Sequence, residues 1–356
     1  MSHMGIRRLH SQQIANTSLQ TPRQVVAWLG AIQGQDYSGA KWSVGLRLPA
    51  STYAEIEAAI ERREIVRTWA MRGTLHLVAA EDVHWLLKLV APAIAPYHER
   101  AAQEMDLEAK TLARAFDLML GAMVDGQAVE RRALLALLAE HGIPSVRERG
   151  RHYLHRASSE GLIAQGVMRG NNPTFFALDT VPNGKVYTRA EALAELARRY
   201  FTSRGPATVQ DFAGWAALSL ADARAGLEAV KDELVSETID RLTYWLPPGA
   251  MGVTASAPVV YALPGFDEFL LGYKERSASL EKAHYSVWCP GKNGIFNPTI
   301  VSGGRVVGMW KRTLKRSTVM IETTPLRPLT DAERAGFEAD ARRYAAFLGL
   351  EPVFTS

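Results

Sequence analysis

The chain has 356 residues, 47% of them hydrophobic, and a formal net charge of +4; such a length suits two or three domains with sizeable cores. No run is apolar enough for long enough to span a bilayer and no signal-peptide core opens the chain, so the expectation is a cytoplasmic protein without a membrane partner. Cys289 is the sole cysteine, which excludes intrachain disulfides and cysteine-rich zinc sites and suits a reducing compartment.

Met1-Ser2-His3-Met4 reads as an expression remnant. The first helix signal is Thr21-Pro22-Arg23-Gln24: a cap, a proline suited to the first helical position, and a glutamine three residues after the cap. Val25, Val26, Trp28, Leu29 and Ile32 follow at helical spacing, and Gly34 is expected to end the helix in the left-handed conformation. Gln33 and Gln35 flank that turn. Two amides converging on one point can hold a water or the polar edge of a ligand, although glutamines at a turn also serve as ordinary caps. Thr52 and Glu55 then open a helix to about residue 63, followed by strand-like runs at 65–71 and 74–79 around Arg72-Gly73.

Helical patterns recur at 112–123, 129–140 and 145–160, and a hairpin follows at 162–168 and 174–178 around Arg169-Gly170-Asn171-Asn172-Pro173. A third set has helices at 188–201, 208–216 and 219–230 and strands at 233–238 and 241–246. Helix-helix-helix-hairpin is the winged-helix plan. After Pro247-Pro248-Gly249 the texture turns to strands, at 259–263, 295–302, 305–310 and 317–323, with a tight turn at Ser302-Gly303-Gly304. Thr330 and Glu333 cap a final helix to about residue 347. The expected fold is therefore mainly α with β (α+β): three tandem winged-helix units at 5–105, 106–186 and 187–250, then a β-barrel-like domain with a terminal helix at 251–356.

Positive charge is concentrated in two places. Arg147, Arg149, Arg151, Arg156 and Arg169 face only Glu148 and Glu160, and the helix that carries the first four, with His152 and His155, is the one that would lie along a DNA groove. Arg305, Lys311, Arg312, Lys315 and Arg316 have no acid among them. Such clusters suit phosphates, and also occur as plain solvated faces. No phosphate-binding glycine loop, dinucleotide fingerprint, zinc-protease histidine pair or nucleophile elbow is present, and the nine histidines are scattered, so neither metal nor cofactor is expected. Asp267-Glu268 sits among apolar residues; such acids are either catalytic or paired structurally, here by something like Lys274 or Arg276, and the structural reading is preferred.

Several segments taken in order resemble one family: Ile32-Gln33-Gly34-Gln35, the run 68–78 with Met71-Arg72-Gly73-Thr74-Leu75-His76, the run 263–273 with Pro264-Gly265-Phe266-Asp267-Glu268, and Phe296-Asn297-Pro298-Thr299 with Gly308-Met309-Trp310. Over nearly the whole chain the sequence is similar to the AlkZ/YcaQ-like winged-helix DNA glycosylases. The resemblance implies a C-shaped basic cleft for duplex DNA and removal of N3- or N7-alkylated purines, with crosslink unhooking in some members. The family's Gln-x-Gln or Gln-x-Asp signature maps onto Gln33 and Gln35. Its middle residue is usually aliphatic and is Gly34 here, which is expected to loosen the turn.

An amide is a weak base, but an alkylated purine leaves as a neutral molecule and needs no general acid. Holding a water and stabilising the oxocarbenium ion then suffice. Gln35 is expected to position the water with Gln33 as its partner, and Asp36 either adds negative charge or is a turn residue. Arg72 and His76 would brace the glutamine segment or touch the DNA backbone. The segment 311–316 would meet a groove or phosphates, at a length suited to minor-groove insertion. The expectation is a monomeric, monofunctional glycosylase acting on duplex DNA; the alternative is a non-catalytic winged-helix regulator, lesion binder or scaffold.

Overall fold

The computed structural model describes residues 3–253, 259–291 and 293–355. The chain starts with α1 (Met4–Ser11), α2 (Pro22–Leu29), β1 (Ile32–Gln33), α3 (Tyr37–Gly45), α4 (Tyr53–Glu61), β2 (Ile65–Trp69) and β3 (Leu75–Ala79). Reciprocal capping boxes form at Thr21/Gln24 and Thr52/Glu55, each satisfying amides that a helix start leaves open. Met4 is buried in a small cluster with Tyr244 and Ala278.

Next come α5 (Val83–Glu104), α6 (Ala109–Gly121), β4 (Val129–Glu130), α7 (Arg131–Glu140), α8 (Arg147–Ser159), β5 (Ile163–Arg169) and β6 (Asn172–Ala177). The two hairpins join in one sheet of order β1-β3-β2-β5-β6-β4. A single residue pair, Arg67 with Gln165, links β2 to β5, and the Arg67 guanidinium donates to the Gln165 side-chain oxygen at 2.6 Å.

The helices α9 (Arg189–Arg204), α10 (Val209–Ala216) and α11 (Leu220–Glu228) precede the hairpin of β7 (Val235–Ile239) and β8 (Leu242–Leu246). The C-terminal part comprises β9 (Val260–Leu263), α12 (Glu268–Leu271), α13 (Tyr285–Trp288), β10 (Thr299–Ser302), β11 (Arg305–Leu314), β12 (Thr318–Pro325), α14 (Asp331–Leu348) and β13 (Glu351–Thr355). Its sheet has the order β13-β12-β11-β10-β9. Among the described residues the edge strands β9 and β13 are not paired with each other, so the sheet is a half-barrel. β11 runs past the expected residue 310 because its ladder with β12 continues to Leu314–Val319. The architecture is mixed α+β.

The apolar residues gather into distinct cores. One joins the first helices to the C-terminal sheet: Trp42 packs its ring 5.0 Å from Tyr344 and 5.2 Å from Phe347, and its indole donates to the Ala262 carbonyl. A second joins α5 to α9 and α10. A third, with Leu112, Leu134, Leu154 and Phe175, lies within the α6–β6 region. The glutamine segment lies where the first two meet: Ile32 belongs to one and Ala31 to the other.

Candidate active site

The helix before the glutamines stops at Leu29, where Gly30 takes a φ of +71°, not at Gly34. Ile32 is not its last apolar turn; it pairs with Leu77, and Gln33 with His76, at the free edge of β3. An open strand edge recruits this stretch, and tertiary pairing overrides the helical period. Gly34 is held rather than loose. Its N–H donates to the Leu75 carbonyl at 2.7 Å, and its carbonyl accepts from Arg67 at 3.0 and 2.9 Å. A Cβ there would stand 3.3 Å from the His76 carbonyl carbon, so glycine permits the close approach of two strands.

Gln33 is buried and its backbone N–H donates to Glu268 Oε1 at 3.0 Å. Its side-chain oxygen lies 3.1 Å from the Thr74 hydroxyl, which is also 3.2 Å from the Met71 carbonyl. Gln33 lines a cavity of about 360 Å³ together with Arg72, Thr74, Trp215, Tyr273, Arg276 and Phe296. Gln35 is exposed and does not line it. Asp36 caps α3 through the Gly39 N–H and accepts from Arg312 at 2.8 Å.

The adjacent acids are both paired inside the protein. Glu268 Oε2 accepts from Arg204 at 2.8 Å and from the Trp215 indole at 2.8 Å. Asp267 accepts a bidentate pair from Arg47 at 2.9 and 3.1 Å, and a further bond from the Ser43 hydroxyl. Burial alone would raise both carboxyl pKa values, but the guanidinium charges outweigh it and hold both below the ordinary range. The expected partners were Lys274 and Arg276; the true ones are Arg47 and Arg204. These, with Arg67, are site residues that the sequence reading missed. Each is a lone arginine in an otherwise unremarked stretch, and its partner lies far along the chain.

His76, expected to touch DNA, cannot do so in this conformation because its side chain is fully buried. Its Nδ1 lies 2.9 Å from the Thr74 carbonyl and its Nε2 3.5 Å from Arg72. Burial, then the Arg72 charge, push its pKa down to about 3. The ring is therefore neutral, donates from Nδ1, and braces the turn between β2 and β3. Arg72 has a φ of +59°; part of the residue meets solvent, but its guanidinium is largely desolvated and donates to the Trp215 carbonyl.

The basic clusters divide. On α8, Arg147 is exposed, Arg149 donates to the Met105 carbonyl, and Arg151 and Arg156 face Glu148 and Glu160. His152 and His155 are buried, so they do not share that face. On the β11–β12 hairpin, Lys315 and Arg316 are exposed at the tip and Lys311 is exposed on the strand. Arg312, expected to meet DNA, is instead committed to Asp36 and ties the hairpin to the glutamine segment. Among the described residues no cluster of three His, Cys, Asp or Glu is arranged to hold a metal ion. Among them, too, no helix is long and apolar enough to cross a membrane.

Against known proteins, the family model described as "DNA glycosylase AlkZ-like" matches residues 26–347. A curated relative from Streptomyces sahachiroi, described as an interstrand DNA cross-link repair glycosylase, is 27% identical over 352 residues, which cover 93% of this chain and 91% of the relative. The solved structure of Streptomyces sahachiroi DNA glycosylase AlkZ superposes with a TM-score of 0.81 at 23% identity, covering 99% of each chain, a likeness of fold.

Proposed function

The chain belongs to the AlkZ-like DNA glycosylase family and is a hydrolase of N-glycosidic bonds in DNA; from that premise we propose that it releases cationic N3- or N7-alkylated purines from duplex DNA, with a water held by Gln33 and Gln35. The observation that carries this reading is Gln33, a buried amide anchored through its backbone on Glu268 and opening on a cavity. Gln35, exposed beside it, is free to meet the same water from the DNA side.

The chemistry asks little proton transfer of the protein. The base departs neutral, so the barrier lies in gathering positive charge on the sugar and in placing water at C1′. Thr74 helps set the amide. A hydroxyl has one proton; when Thr74 gives it to the Met71 carbonyl, a turned-over Gln33 amide donates to Thr74 and aims its oxygen into the cavity as a water acceptor. The bonds on Gly34 hold the two glutamines in fixed relation, which limits the reorganisation needed at the moment of reaction.

The helix-helix-helix-hairpin order of α2, α3, α4, β2, β3, of α6, α7, α8, β5, β6 and of α9, α10, α11, β7, β8 supports three winged-helix units. Arg147, Arg151, Lys311, Lys315 and Arg316 are exposed cations suited to phosphates, Arg151 beside Glu148 and Lys311 beside Glu322, and the hairpin tip suits a minor groove. The relative's crosslink repair extends the proposal to unhooking interstrand crosslinks, by a monomer without metal or cofactor. The test is release of 7-methylguanine from methylated duplex DNA. Gln35→Ala and Gln33→Ala should each lower the rate by about 10²–10³, as loss of one preorganised polar group does. Release by Gln35→Ala at the wild-type rate would sink the assignment of that residue.

A further inference from the structure

The cavity beside Gln33 holds an excess of positive charge. Arg72, Lys274 and Arg276 line it and no carboxylate does. None of the three has an ion-pair partner among the described residues, because Asp267 and Glu268 are taken by Arg47 and Arg204. Arg276 is oriented rather than neutralised: it donates to the Leu270 carbonyl at 2.8 Å, and its guanidinium lies 5.3 Å from the Trp288 ring, itself stacked on Phe296 at 4.4 Å. Desolvation lowers the pKa of both Arg72 and Arg276, and Arg204 and Arg276 press that of Arg72 down further against the pull of Glu268. Desolvated cations that repel one another are costly until an anion joins them.

We propose that this cavity is a phosphate subsite, in which Arg276 and Lys274 hold the phosphodiester adjoining the lesioned nucleotide and so set its C1′ opposite Gln33. The inference rests on the glycosylase reading. A cationic purine would be repelled by these side chains, so the cavity does not suit the alkylated base itself. An oxocarbenium ion forming beside bare cations would be disfavoured, and a bound phosphodiester removes that obstacle. A guanidinium fork matches two phosphate oxygens, while the exposed Lys274 supplies a mobile charge.

The experiment uses duplexes with a single 7-methylguanine and one neutral methylphosphonate linkage, placed in turn at each position flanking the lesion. With wild-type protein, one position should lower kcat/KM about tenfold, the scale of a lost charge-assisted bond. Arg276→Gln and Lys274→Ala should each lose about as much on the unmodified duplex and nothing further at that position, with Arg276→Lys recovering part of the rate. Lys274 is exposed, so its variant tests the site even if Arg276→Gln folds poorly. Losses that multiply at every position overturn the subsite while leaving the glycosylase intact. So does a loss that follows the size of the adduct rather than the linkage. No base release by wild type from any alkylated duplex overturns the glycosylase reading and the subsite with it.

Discussion

The surroundings of Gln33 and the face of α8 are both rich in arginine, yet the two use it in opposite ways. Around Gln33 three arginines reach across the chain to a carboxylate: Arg47 to the buried Asp267, Arg204 to the buried Glu268, and Arg312 to the half-buried Asp36. On α8 the pairs are local and wet, Arg151 with Glu148 and Arg156 with Glu160. A buried charge is expensive to orphan, whereas an exposed one is held by water when its partner leaves. The first region is therefore a rigid frame for a backbone segment, and the second a surface free to exchange partners.

Breaking the comparison should show this asymmetry. Glu268→Ala strands Arg204, the Trp215 indole and the Gln33 N–H, and should cost about 3–5 kcal/mol in urea unfolding; Glu160→Ala, which frees Arg156, should cost under about 1 kcal/mol. Equal costs would dissolve the distinction. Acid should act more gradually. His76, His98 and His155 are pushed by burial down to about 3, 4 and 3. Above pH about 6.5 their contribution is fully present. As pH falls below it, the unfolded chain takes protons that the folded one refuses, so stability drops, by at most about 1.4 kcal/mol per pH unit for a single histidine. Thermal unfolding followed from pH 7.5 to 4.5 should record a falling Tm, and His98→Leu should flatten the decline. The smallest stability effect belongs to the hairpin tip. Lys315→Ala with Arg316→Ala should leave unfolding within about 0.5 kcal/mol of wild type. The same pair should reduce the salt dependence of duplex binding, by about 0.9 in the log–log slope for each phosphate no longer neutralised.

What the sequence made legible follows the same division. Caps, turns and amphipathic periods are local, so most helices and hairpins after residue 50 were readable to within a few residues. The glutamine pair and the basic clusters stood out by local spacing alone. The helix α5 escaped notice because Pro92 and Pro96 lie inside it and interrupt the local signal. β1 reads as a helix end because its strand character comes only from the edge of β3. The roles of Arg47, Arg67 and Arg204 were invisible for a related reason: nothing near a lone arginine says that its carboxylate or carbonyl lies scores of residues away. For His76 the sequence left bracing and DNA contact open, since a two-residue alternation does not say which face of a strand will be covered; its burial favours bracing.

Arg67 has one more consequence. Its guanidinium grips the Gly34 carbonyl with two nitrogens and the Gln165 side chain with the third, at the single pair that joins β2 to β5. A hinge opening between the two hairpins must therefore either let go of Gln165 or drag on the peptide between the two glutamines. Lysine, with one small ammonium, could not keep both grips. The side chain behaves as a strain gauge, registering at Gly34 any displacement of the α6–β6 region.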